Sequence, residues 1–161
     1  MTPQFNQENQ ARIDTILSRY PNKMAACLPV LYVAQEQFEN YLSPEVMDLV
    51  AETLDLSSSH VYGVATFYTM YNKKKVGTYH VQVCTNVSCY LCGAYDVRGA
   101  VEKKLGIKAG QTTDDGKFTL TEVECLAMCG TAPAVQINEE IHELVSVDGV
   151  DKLIDGLKKS K

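Results

Sequence analysis

Val83-Cys84-Thr85-Asn86-Val87-Ser88-Cys89-Tyr90-Leu91-Cys92-Gly93 and, further on, Val123-Glu124-Cys125-Leu126-Ala127-Met128-Cys129-Gly130 hold five of the six cysteines of the 161-residue chain. Each segment follows an alternating apolar run, Thr78 to Val83 in one case and Phe118 to Val123 in the other, and such runs predict strands. Two strands ending at one edge of a sheet would gather the pairs Cys84-x4-Cys89 and Cys125-x3-Cys129 around one centre. That is the arrangement a metal site needs.

Between and after the two segments the pattern predicts a small sheet with helices packed on it. Ala94 to Leu105 reads as a helix with Val97, Val101 and Leu105 on one face, stopped by Gly106. Asp114-Asp115-Gly116-Lys117 is a turn. Pro133 to Asn138 and Ile141 to Val147 read as a hairpin across Glu139-Glu140, and Val150 to Leu157 as a closing helix. The order strand, helix, strand, strand, strand, helix fits a thioredoxin-like α/β domain.

Before this domain the period is helical. Ile13, Ile16, Leu17 and Tyr20 share one helix face, which ends at Pro21-Asn22. Met24, Cys27, Leu28, Leu31 and Gln35 to Phe38 continue a second face, with a kink or restart expected at Pro29. Ser43-Pro44-Glu45 opens a third helix with a capping Ser, Pro at the first position and an acid in the first turn; its face is Val46, Leu49, Val50 and Leu54. Ser57 to Ser59 open a fourth, whose apolar face is Val61, Val64, Phe67 and Tyr68. The polar, basic break Asn72-Lys73-Lys74-Lys75-Val76-Gly77 separates the halves, so the expected division is a helical bundle over residues 1–74 and a thioredoxin-like domain over 75–161, an α+β chain.

Composition bounds the function. A chain of this length can bury roughly 70% of its unfolded surface and needs no disulfides to fold. Net charge is −5 and the pI about 5.2, which argues against a nucleic-acid partner. No run reaches the roughly 20 apolar residues of a membrane span, so direct membrane insertion is not expected. The N-terminus has neither the basic and apolar regions of a signal peptide nor the Arg-rich bias of a transit peptide, which reads as a cytoplasmic, bacterial chain. In a reducing cytosol, grouped cysteines point to metal or redox chemistry before disulfides. There is no G-x-G-x-x-G after a strand, no phosphate-cradling loop and no catalytic triad, so the chain has no visible substrate site of its own.

Four thiolates suit a [2Fe–2S] cluster or a Zn²⁺ ion. Structural zinc more often uses tight Cys-x2-Cys turns, and the looser pairs here favour iron–sulfur. Cys92 leaves the ligand set open. Cys84-x4-Cys89-x2-Cys92 with a distant fourth cysteine matches plant-type ferredoxin spacing. Cys89-Tyr90-Leu91-Cys92 before a helix has the spacing of a thiol–disulfide pair, but that reading leaves Cys84, Cys125 and Cys129 unexplained. Cys27 has core spacing and reads as a small buried hydrophobe. His60, His80 and His142 stand beside none of the clustered cysteines and read as ordinary surface or strand residues. A zinc-stabilised interaction module is the alternative from another class. An iron–sulfur centre on four thiolates is negative and becomes more so on reduction, so it needs N–H donors and partial burial.

Beyond spacing, the chain resembles a known family. Cys84-x4-Cys89, Cys125-Leu126-Ala127-Met128-Cys129-Gly130-Thr131-Ala132-Pro133, Gly63 to Tyr68, Gly106 to Gly110 and Thr113 to Phe118 are similar to the thioredoxin-like [2Fe–2S] subunits of NADH–quinone oxidoreductase, respiratory complex I. The resemblance covers nearly the whole chain. It implies that Cys84, Cys89, Cys125 and Cys129 hold one [2Fe–2S] cluster, with Cys92 left out. It implies a partner in the same complex, the flavin- and NADH-binding subunit, that carries FMN, the NADH site and a [4Fe–4S] cluster, along with further peripheral-arm subunits. The chain would then transfer single electrons to and from the flavin, off the main path to quinone, at the cytoplasmic side of the bacterial inner membrane. Related subunits of NAD-linked hydrogenases and formate dehydrogenases share the motif. The helical half is expected to contribute to the contact with the flavin partner.

Overall fold

A computed structural model describes residues 2–159. The chain divides into two compact units, one running to Lys75 and the other starting at Val76.

The first unit is built from four helices, α1 (Gln7–Arg19), α2 (Cys27–Gln37), α3 (Pro44–Leu54) and α4 (Ser58–Phe67). Three begin on side-chain caps. Asn6 accepts from the Asn9 N–H at 2.8 Å, Ser43 from Val46 at 3.3 Å and Ser57 from His60 at 3.3 Å, each satisfying a first-turn donor that has no partner inside the helix. Their apolar stripes meet in one core that includes Ile13, Val30, Leu31, Val50, Leu54 and Val61, all fully buried. Cys27 lies in this core, and burial pushes its thiol pKa up.

Of the kink or restart expected at Pro29, the chain makes a restart: Pro29 is the third residue of α2, where an N–H would have no helical partner anyway. The expected apolar face is corrected at its start. Met24 precedes α2 and is exposed. The last turn of α4 also departs from the expected core face, because Phe67 is 77% exposed and Tyr68 is exposed beside it, their rings 5.0 Å apart.

The second unit carries a four-stranded sheet of β1 (Tyr79–Cys84), β2 (Phe118–Val123), β3 (Val135–Ile137) and β4 (Glu140–His142) in the order β2-β1-β3-β4. β1 and β2 are parallel, with Tyr79 opposite Phe118 and Cys84 opposite Val123; β3 and β4 add antiparallel. A parallel pair needs a crossover, and here it contains α5 (Val87–Leu91) and α6 (Ala94–Leu105). Val81, Val83 and Leu120 pack with Val97 and Val101 of α6 and with Val150 and Ile154 of α7 (Val147–Lys159). Gly106 takes the left-handed conformation at φ 70° and ends α6 where the sequence predicts.

The second unit also differs from the expected elements. α5 is an element that the sequence pattern does not predict, and Cys89 sits inside it rather than in a loop ahead of the next helix. The second strand of the hairpin starts at Glu140 and stops at His142, and Val147 already belongs to the final helix. Leu144, at φ 51°, turns the chain between them. Among the described residues no helix is long and apolar enough to cross a membrane.

Candidate metal centre

Because β1 and β2 run parallel, both chains leave the sheet at the same end. β1 ends on Cys84 itself, and the chain leaving β2 reaches Cys125 two residues after Val123. The Thr85 N–H donates to the Val123 carbonyl at 3.0 Å, so the two exits stay joined one residue past Cys84. Asn86 then caps α5 by accepting from the Val87 N–H at 2.7 Å, and this short helix places Cys89 on its buried side. On the other exit, Ala127 adopts φ 62°, a left-handed conformation that costs a non-glycine residue about 1 kcal/mol or more. The turn brings its N–H to 3.3 Å from the Cys125 Sγ. Cys129 begins a 3-10 turn that extends to Thr131.

Cys84, Cys89, Cys125 and Cys129 line one recess of about 130 Å³. Cys84 and Cys89 are each 3% exposed, whereas Cys125 and Cys129 are open to solvent. Burial pushes the Cys89 thiol pKa up, and the nearby Cys84 and Cys129 sulfurs push it the same way; the Ala134 N–H bonded to it works against them. The other lining residues, Asn86, Val87, Ser88, Ala127 and Met128, bring no carboxylate or imidazole. The donor set is therefore sulfur alone, with the Ala127 N–H aimed at it. That chemistry fits a thiolate-ligated iron–sulfur centre, which soft sulfur ligands select and N–H donors stabilise. In this conformation all six cysteines are free thiols, and among the described residues no three His, Cys, Asp or Glu side chains converge closely enough to hold a single ion.

The remaining candidates lie elsewhere. Cys92 caps the C-terminal end of α5, where its N–H donates to the Ser88 and Cys89 carbonyls; its side chain is exposed and does not line the recess. His80 is buried in β1 with its Nε2 2.8 Å from the Thr121 hydroxyl. His142 ends β4 with its Nε2 3.8 Å from Glu140, and His60 lies in α4. Sequence reasoning missed the Ala127 N–H donor and the cap. Asn86 before a short apolar turn is a readable capping signal. Nothing in the sequence marks Ala127 for positive φ.

A family model described as thioredoxin-like [2Fe–2S] ferredoxin matches residues 13–158. An NADH-quinone oxidoreductase subunit of Rickettsia felis is 44% identical over 153 residues, covering 94% of this chain and 92% of the relative. The mitochondrial NADH dehydrogenase [ubiquinone] flavoprotein 2 of Dictyostelium discoideum is 40% identical over 159 residues, 98% of this chain and 64% of that protein. Among solved structures, an NAD+-reducing [NiFe]-hydrogenase in the H2-reduced state matches with a TM-score of 0.72 at 18% identity, over 84% of this chain and 22% of the hydrogenase chain, which is a likeness of fold.

Proposed function

The chain belongs to the thioredoxin-like [2Fe–2S] ferredoxin family, and on that footing we propose that it is the electron-transfer subunit of the NADH-oxidising module of an NADH–quinone oxidoreductase. Cys84, Cys89, Cys125 and Cys129 hold its one [2Fe–2S] cluster. The observation that carries the reading is that these four thiols line one recess where two parallel strands leave the sheet together.

The bound cluster supplies a one-electron acceptor and donor. The chain's own residues make that charge tolerable. Cys84 and Cys89 keep water from one side of the site, and the Ala127 N–H offsets negative charge on sulfur. Cys125 and Cys129 leave the other side open to a partner. That partner is the FMN- and NADH-binding subunit of the same complex, which exchanges single electrons with this chain at the cytoplasmic side of the membrane. The bundle over residues 1–74 is a domain of its own that joins this contact, in keeping with the exposed Phe67 and Tyr68 at the end of α4. The equivalent role in an NAD-linked hydrogenase is the second reading. The hydrogenase likeness favours it in fold, and the 40–44% identical relatives favour the quinone enzyme.

The test is iron and acid-labile sulfide per chain on anaerobically purified protein, with EPR after dithionite reduction, for the parent chain, Cys92→Ser and Cys129→Ser. Two irons and two sulfides are expected, with the signal kept in Cys92→Ser and lost in Cys129→Ser. The reverse pattern would establish ferredoxin-type ligation through Cys92. Zinc in place of iron would leave an interaction module.

A further inference from the structure

Beside the recess, one carboxylate joins two groups from different elements. Glu122 lies on β2 opposite Val83, one residue before the Cys84 and Val123 pair. One of its oxygens accepts from the Thr85 hydroxyl at 3.0 Å, and the other accepts from Arg98 Nη1 at 2.5 Å. Thr85 follows Cys84 directly; Tyr95 and Arg98 are one turn apart on α6. The Arg98 guanidinium lies 4.7 Å above the Tyr95 ring, and that ring stands edge-on to Tyr90, the residue after Cys89, at 5.6 Å. The ion pair therefore joins β2 to α6 and, through Thr85, to the exit of β1, while α5 reaches it only by way of the Tyr90 and Tyr95 rings.

An ordinary surface salt bridge would explain none of this geometry and would be largely screened. Here the two side chains are only 27% and 34% exposed. Arg98 Nε is buried, makes no hydrogen bond and stands 4.0 Å from the Glu102 carboxylate. Charges held this way, in partial shelter from water, act on a neighbouring redox centre more strongly than mobile surface charges do.

We propose that Arg98 and Glu122 form a positioning pair for the cysteine site: together they tie the exits of β1 and β2 to α6, and separately their opposite charges set how readily the site accepts an electron. This rests on the reading that Cys84, Cys89, Cys125 and Cys129 hold a [2Fe–2S] cluster. While the pair is intact its two charges nearly cancel. Removing one leaves the other acting on a centre that gains negative charge on reduction.

The test is an EPR-monitored dithionite titration of the full chain, loaded with iron and sulfide under anaerobic conditions, for Arg98→Gln, Glu122→Gln and the control Lys104→Gln. Lys104 lies in the last turn of the same helix and pairs with Asp151 and Asp155 instead. Iron content is measured first on the parent chain, where failure to hold a cluster counts against the ligand reading and not against this one. Arg98→Gln should disfavour one-electron reduction by about threefold or more, Glu122→Gln should favour it by a similar factor, and Lys104→Gln should do less than either. Shifts of the same sign in the first two variants, or none with full iron content, would overturn the proposal, because a purely structural clamp has no reason to move the equilibrium in opposite directions. If Arg98→Gln cannot hold the cluster, Arg98→Lys decides. It keeps the charge, so its equilibrium should stay within about twofold of the parent, and a shift beyond about threefold counts against the proposal.

Discussion

The Tyr71 hydroxyl donates to the Leu28 carbonyl at 2.8 Å, joining the end of the helical unit to the first turn of α2 across 43 residues. Tyr71 is 1% exposed, and burial, together with the neighbouring Tyr32, Cys27 and Tyr68, raises its pKa far above the ordinary phenol range. Tyr71→Phe keeps the ring and removes the donor of this long-range bond to a carbonyl that retains its place in the α2 hydrogen-bond ladder. We expect a loss of about 1 to 2 kcal/mol, read from urea denaturation of the full chain. An unchanged midpoint would mean that the hydroxyl contributes nothing.

Two glycines should respond with opposite signs. A Cβ on Gly77 would lie 2.7 Å from the Lys117 carbonyl carbon and 2.8 Å from both the Lys117 oxygen and the Phe118 nitrogen, all of them backbone atoms. The Gly77 N–H also donates to the Thr119 hydroxyl at 2.6 Å. Gly77→Ala must push two backbone segments apart and should cost about 2 kcal/mol or more. Gly63, within α4, meets nothing within 4 Å, so Gly63→Ala should stabilise by about 0.5 to 1 kcal/mol. Thermal unfolding of both variants gives the comparison.

Thiol labelling should follow burial. In the metal-free chain at mildly alkaline pH, Cys92, Cys125 and Cys129 should alkylate first, while Cys27, Cys84 and Cys89 stay protected until the chain unfolds. Loading with iron and sulfide should then shield Cys125 and Cys129 and leave Cys92 as the reactive site. Peptide mass spectrometry after a short iodoacetamide pulse distinguishes these patterns. Fast labelling of Cys27 in the folded chain would contradict the packing of the helical core.

Acid should weaken the second unit before its carboxylates titrate. His80 is 8% exposed, and burial lowers its pKa from the ordinary 6.5. The unfolded chain then takes up this proton at a higher pH than the folded chain does. The stability that His80 preserves by staying neutral is present above pH 6.5 and is lost as pH falls through that value towards the lower folded pKa. The slope can reach about 1.4 kcal/mol per pH unit. Urea midpoints measured between roughly pH 5 and 7 should show it, and His80→Gln should flatten it.

Much of this arrangement can be read from local pattern. The Ser43-Pro44-Glu45 start of α3, the α6 boundaries at Ala94 and Gly106, and the strand leading into Cys84 all rest on signals contained within a few residues. α5 cannot be seen that way, because five residues are too few for a 3.6-residue period to repeat. Pro29 leaves kink and restart open because its effect depends on whether it falls in the first turn or the interior, and that turns on where α2 starts. Phe67 looks like a core residue, and only the packed bundle shows that α4 turns it outward. At the site, grouping of the cysteines is visible in their spacing. That Cys92 stays off the recess depends on α5, and the meeting of Thr85, Arg98 and Glu122 depends on strand register, neither of which is written locally.

The parallel pairing of β1 with β2 also sets an order of events for a chain being synthesised. A hairpin would let the two thiol-bearing exits meet as soon as both had emerged from the ribosome, but a parallel pair waits for the crossover helices to fold back onto the strands. Cys84 and Cys89 therefore leave the ribosomal tunnel well before Cys125 and Cys129, and the recess lined by all four thiols cannot form until β2 has been made and paired with β1.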